Sequence, residues 1–187
     1  MNQPECEISD AWYAMRVTYN RVMVAKALLD RVNVRNFVPM RYKERVVSGK
    51  KVRELVPAIS NLMFVYSNTQ QLKELKRKMD YLQYIVNSRT KEKIIVPQLQ
   101  MQRFMEVQKV DNEHILWFAP QDVNFSKGMN VRVIDGQFKG YEGTLVKVKG
   151  ARDKRVVVAI EGVIAVAMAS INPSFLQLVD NDQSVGI

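Results

Sequence analysis

Apolar and polar positions along this chain change their period several times, and each change predicts an element. Trp12 to Thr18 reads as a short strand, apolar at Trp12, Ala14 and Val17. From Asn20, placed to cap a helix, the spacing becomes helical: Val22, Ala25, Leu28 or Leu29, and Val32 recur on one face. Asn33 to Asn36 breaks that pattern, and Phe37 opens an extended segment through Pro39 to Val47. Ser48-Gly49 then interrupts the run KERVVSGKKVRE, which reads as a β-hairpin with Arg45, Lys50, Lys51 and Arg53 at its tip. Leu62 to Tyr66 is five apolar or aromatic residues in succession, a strand buried on both faces or one that keeps a face for a partner. Asn68 and Gln71 form a capping pair for a helix over 69–80, lined by Leu72, Leu75 and Met79. Lys73, Lys76, Arg77 and Lys78 occupy its other faces. Tyr84 to Asn87 and Ile94 to Val96 are short strands around a polar hairpin. Pro97 suits the first turn of a third helix carrying Met101, Phe104 and Met105.

This alternation predicts an α/β sandwich of ferredoxin-like type over residues 11–109. Residues 110–126 lose all periodicity, carry Pro120 and read as an interdomain linker, with Trp117 and Phe118 expected to dock on a neighbouring domain. From Lys127 to Thr144 the sequence KGMNVRVIDGQFKGYEGT places turn glycines behind a strand-like Val131 to Ile134. Asp135-Gly136 is a hairpin signal, and Gly140 and Gly143 read as further bends or bulges. Phe138 and Tyr141 lie between these glycines, on a loop where an exposed aromatic could meet a partner. Leu145 to Lys149, Arg155 to Ile160 and Val163 to Met168 add three more strands. The segment 127–179 is therefore a small barrel or sandwich, and the whole chain is α+β.

Composition narrows the classes. Hydrophobic content of 47% is ample for a core over 187 residues. No apolar run approaches the roughly 20 residues that a membrane helix needs. The N-terminus lacks a signal-peptide pattern, and Cys6, the only cysteine, allows no internal disulfide; both fit the cytoplasm. The net charge of +9 is unevenly placed. Residues 1–110 hold 20 Lys and Arg against 10 Asp and Glu, whereas residues 111–187 hold 8 against 9. The basic excess points the first domain, not the second, at nucleic acid or an acidic surface. Arg16, Arg21, Lys50, Lys51 and Arg53 are the candidate nucleic-acid contacts, and a solvated face explains each about as well.

The glycine-rich stretch resembles the KOW motif and the SH3-like barrel that carries it. A basic α/β domain opened by Trp12-Tyr13, a linker and a KOW barrel together resemble the NusG family of transcription elongation factors. The segment from Pro39-Met40 through Gly49-Lys50 to Asn61-Leu62-Met63-Phe64-Val65 is most similar to the specialised bacterial paralogues typified by RfaH. The resemblance implies an N-terminal NGN domain that lays an apolar patch on the clamp helices of RNA polymerase, at Ile59, Leu62 and Phe64. Ser60 stands where the family has proline and Leu62 where it has tyrosine, so the patch loses an aromatic ring. Phe64 could equally be core, since residues alternate across a strand.

The resemblance also implies a KOW domain that recruits a ribosomal protein or the termination factor Rho through a loop containing Phe138 and Tyr141. Glu161-Gly162-Val163 replaces the family's Phe-Gly-Arg turn, which counts against Rho. Contact with non-template DNA is a further implied partner. RfaH-like factors can hide the polymerase patch beneath a helical C-terminal domain; Val156-Val157-Val158 and Val163 to Val166 favour a stable barrel here.

A ribosome- or RNA-associated KOW protein is the alternative, and it predicts a basic barrel that the charge count does not supply. Enzyme activity has little support. His114 is the sole histidine, and no metal cluster, nucleophile triad or phosphate-cradling loop is present, so neither metal nor cofactor is expected.

Overall fold

The computed structural model describes residues 9–87, 89–109, 116–118, 128–136, 138–147, 154–160, 164–167 and 171–179. The chain divides into two compact units, Met1–Met101 and Gln102–Ile187.

The first unit is built on an antiparallel sheet of β1 (Ala11–Val17), β2 (Asn36–Phe37), β5 (Leu62–Ser67), β6 (Leu82–Tyr84) and β7 (Ile95–Val96). Its order is β2-β5-β1-β6, with β7 also paired to β1. In β1, Tyr13, Met15 and Val17 point to one face and Trp12, Ala14 and Arg16 to the other, because side chains alternate along a strand. The odd-numbered set joins Met63 and Val65 of β5 in a core with Val22, Ala25 and Leu29 of α1 (Val22–Arg31) and Leu72 of α2 (Thr69–Lys78). Two amphipathic helices thus cover one face of the sheet. On the other face, the Trp12 indole N–H donates to the Gln98 side chain at 3.0 Å, at the start of α3 (Gln98–Lys109).

Of the two asparagine caps expected for the helices, one forms. Asn68 accepts from the Gln71 amide at 2.9 Å and caps α2 as expected. Asn20 does not cap α1. It has φ +58, next to Tyr19 at +57, and forms the left-handed centre of a turn closed by the Arg21 amide on the Thr18 carbonyl at 3.3 Å. Arg21 takes the cap position and supplies no side-chain bond. The strand expected at Tyr84 to Asn87 forms earlier, at Leu82–Tyr84, leaving only an isolated bridge from Val86 to Lys93.

The expected hairpin is a separate two-stranded ribbon, β3 (Met40–Val47) paired with β4 (Lys50–Pro57) in eight residue pairs. Ser48 and Gly49 at its turn have φ +51 and +77, the left-handed pair that joins two right-twisted strands most directly.

The second unit holds one antiparallel sheet of order β13-β9-β10-β11-β12-β8. Its strands are β8 (Leu116–Phe118), β9 (Met129–Val133), β10 (Glu142–Lys147), β11 (Lys154–Ile160), β12 (Ile164–Ala167) and β13 (Leu176–Leu178). Trp117 and Phe118 are therefore not linker residues: Leu116–Phe118 pairs with β12, Trp117 opposite Val166. The rest of the expected linker, residues 110–115 and 119–126, lies outside the described residues. The division into units falls within α3, earlier than the expected boundary at residue 109. Gly136 and Gly140 have positive φ and turn the chain as predicted. Gly143 is instead a strand residue: a Cβ there would lie 2.7 Å from the Val157 carbonyl oxygen, so β10 and β11 meet where only hydrogen fits.

Candidate functional site

The residues singled out for partner contact fall on three places in the first unit and one in the second. Ile59, Leu62 and Phe64 surround the turn into β5. The Ala58 amide donates to the Pro39 carbonyl at 2.8 Å, and the Leu62 amide donates to the Ile59 carbonyl at 3.4 Å, which fixes the turn. Phe64 pairs with Ala14, and Leu62 with Arg16. Both apolar side chains are buried, Leu62 at 2% and Phe64 at 0% relative exposure, and the Phe64 ring lies 6.4 Å from Phe37. An exposed patch made of all three is therefore not present in this state; Ile59 alone is half-buried. The cause is the burial of both faces of β5, the outcome that its unbroken apolar run allowed.

Arg16 and Arg21 lie at the same end of the sheet. Arg16 is exposed between Leu62 and Gln83 in the strand register. The Arg21 guanidinium sits over two tyrosine rings, 5.1 Å from Tyr81 and 5.9 Å from Tyr19. Tyr19 is 82% exposed, on a turn that carries no glycine and so has no signal in the sequence. Beyond it, Tyr84 is held between Lys76 at 4.4 Å and Lys93 at 4.5 Å. These lysines come from α2 and from the loop before β7, a pairing that no local spacing reveals.

Lys50, Lys51 and Arg53 are brought together on the ribbon but not on one face of it. Lys51 lies 3.8 Å from Glu44, and the Arg53 guanidinium lies 4.1 Å from the centre of the Tyr42 ring. Lys50 faces the other way, with Val47 opposite.

In the second unit the expected partner loop is turned inward. Phe138 is 3% exposed and packs edge-on against Tyr141 at 6.1 Å. The Tyr141 hydroxyl donates to the Glu106 carbonyl at 2.9 Å, and burial raises its pKa above the ordinary phenol value, with the Glu106 charge adding to the rise. Phe138 therefore anchors its loop instead of presenting a surface. Nearby, Glu142 is clasped by Arg103 and Arg132. Among the described residues no group of three or more His, Cys, Asp or Glu side chains is placed to hold a metal ion, and no helix is long and apolar enough to cross a membrane.

A sequence model of the family described as "Transcription termination factor nusG" matches residues 10–105, slightly more than half of the chain. The chain belongs to the NusG family. The match begins one residue before β1 and ends inside α3, so it takes in the sheet, its helices and the ribbon. NusG-family proteins are non-enzymatic transcription factors that bind RNA polymerase. A solved structure titled "Domain interaction in Thermotoga maritima NusG" is similar over 92% of this chain and 98% of its own, at 16% identity and a TM-score of 0.44. No curated protein matches the chain.

Proposed function

We propose that this chain is an elongation and antitermination factor that binds the clamp helices of RNA polymerase through its first unit, as a specialised NusG paralogue acting on selected operons. The observation that carries this reading is the family match over residues 10–105, which takes in nearly the whole of the first compact unit. In it, Ile59, Leu62 and Phe64 form the polymerase contact, and because Leu62 and Phe64 are buried, engagement requires their face of the sheet to be uncovered. Arg16 and Arg21 at the sheet end, with the basic ribbon, face nucleic acid such as the non-template strand. The second unit is a KOW barrel of the SH3-like kind that recruits a ribosomal protein or Rho. With Phe138 buried, its contact surface lies on other residues, Tyr141 at its edge. The site of action is the cytoplasm.

The test is binding of the full chain to core RNA polymerase, wild type beside Ile59→Ser. Ile59 is the half-buried member of the patch, so its replacement leaves the core of the unit intact. Saturable binding by the wild type, weakened about tenfold by Ile59→Ser, is expected, a loss of about 1.4 kcal/mol that exceeds what most interface residues contribute. Retention on ribosomes with no affinity for polymerase would overturn the reading in favour of a ribosome-associated KOW protein.

A further inference from the structure

The β3–β4 ribbon has two unlike faces, and the register assigns every residue to one of them. Residues directly opposite in an antiparallel pair share a face. Met40, Tyr42, Glu44 and Val46 therefore share one with Lys51, Arg53, Leu55 and Pro57. Arg41, Lys43, Arg45 and Val47 share the other with Lys50, Val52, Glu54 and Val56. The first face carries two cations and one carboxylate, and its cations are engaged: Lys51 by Glu44 and Arg53 by the Tyr42 ring. The second carries four cations and one carboxylate. Glu54 lies 3.5 Å from Arg45, and among the described residues Arg41, Lys43 and Lys50 have no carboxylate within ion-pair distance. All four of these cations are exposed, and so are Val47 and Val52 between them.

We propose that the Arg41–Lys43–Arg45–Lys50 face of the ribbon is a binding strip for the phosphate backbone of nucleic acid, and that the Lys51–Arg53 face is not. This rests on the reading of the chain as a nucleic-acid-proximal transcription factor and refines where the ribbon makes contact. Cations at every second position of a strand stand about 6.8 Å apart, so they present an evenly spaced line of positive charge to the evenly spaced phosphates of a nucleic-acid strand. A two-stranded ribbon is also narrow enough to enter the major groove of a duplex. The charge is complementary to phosphate and unevenly divided, four cations against one carboxylate on this face and two against one on the other, and among the described residues only Arg45 of the four is paired with a carboxylate. Neither Arg41 nor Lys43 stands out in the sequence, where the cations nearest the turn draw attention.

The experiment compares two variants of equal charge on opposite faces of the full chain: Arg41→Gln with Lys43→Gln, and Lys51→Gln with Arg53→Gln. Binding to a short DNA duplex and to a single strand of the same length is measured by fluorescence anisotropy over a series of salt concentrations. Each phosphate contact adds about 0.9 to the slope of log affinity against log salt on a duplex, and about 0.7 on a single strand. The first variant is expected to lower the slope by about 1.4 to 1.8 on whichever nucleic acid the strip prefers, and the second to leave it unchanged. Equal losses from both variants, or no salt-dependent binding by the wild type, would overturn the proposal. Polymerase is absent from this assay, so its outcome is read separately from the clamp-binding test.

Discussion

At Tyr141 the side chain does something different from what its place in a glycine-rich loop implies. Its hydroxyl is spent on the Glu106 carbonyl, and burial holds its pKa above the usual 10.0; Tyr84 is raised for the same first reason, with the nearby Tyr13 adding to it. A raised phenol pKa means that the folded chain favours the neutral form. The stabilisation is fully present below about pH 10 and is lost as pH rises through the folded-state values. Tyr141→Phe is expected to lower stability at pH 7 by about 1 kcal/mol, the usual net worth of one hydrogen bond. It also makes the alkaline loss shallower, and urea unfolding at pH 7 and above pH 10 measures both effects. Gly143 and Phe138 show why single residues mislead. A glycine signals a turn by default, yet Gly143 exists for the close approach of Val157, a residue fourteen positions away. Phe138 is flanked by turn residues, and burial of a loop aromatic depends on what the loop folds onto, which is not a local property.

Elements were legible where their signals were local. The ribbon was read from Ser48-Gly49, and α2 from Asn68 and Gln71, because a turn and a cap are set within a few residues. The short strand β13 was missed: Leu176–Leu178 is three residues long and owes its existence to β9, more than forty positions earlier. The start of α1 was misjudged because Asn serves both as a cap and in the left-handed region, and the turn at Tyr19 and Asn20 used the second property. The ribbon turn offers an element-scale check. Gly49→Val puts a β-branched residue at φ +77, costing about 1–2 kcal/mol. The expected result is faster hydrogen exchange along Met40–Val47 and Lys50–Pro57, with β1 and β5 unaffected, since the ribbon is a sheet of its own.

For the molecule as a whole, the family was legible as a resemblance, carried by the KOW-like glycine stretch, Trp12-Tyr13 and the order of elements together, because signals spread over many residues survive local error. The burial of Leu62 and Phe64 was not, since a run of five apolar residues is the same string whether or not one face is kept for a partner. The charge split has its own consequence: 20 of the 28 Lys and Arg residues lie in residues 1–110. Lysine acetylation of the nucleic-acid-bound chain, read by mass spectrometry, is expected to show protection at Lys43, Lys50, Lys76 and Lys93 and none at Lys139 or Lys147. Equal protection in both units would mean that attraction to phosphate is not concentrated in the first.

The ribbon also carries a hazard that its sequence contains. Among the described residues β3 and β4 pair only with each other, so each leaves an outer row of amide and carbonyl groups open to a further strand. With Val46, Val47, Val52 and Leu55 exposed, the ribbon is a template on which a second copy could add edge to edge. The alternating arginines and lysines oppose that addition by placing like charges side by side. The cations that suit the ribbon to a polyanion thus also act as its guard against fibrous self-assembly, and neutralising too many of them at once would exchange a soluble hairpin for a growing sheet.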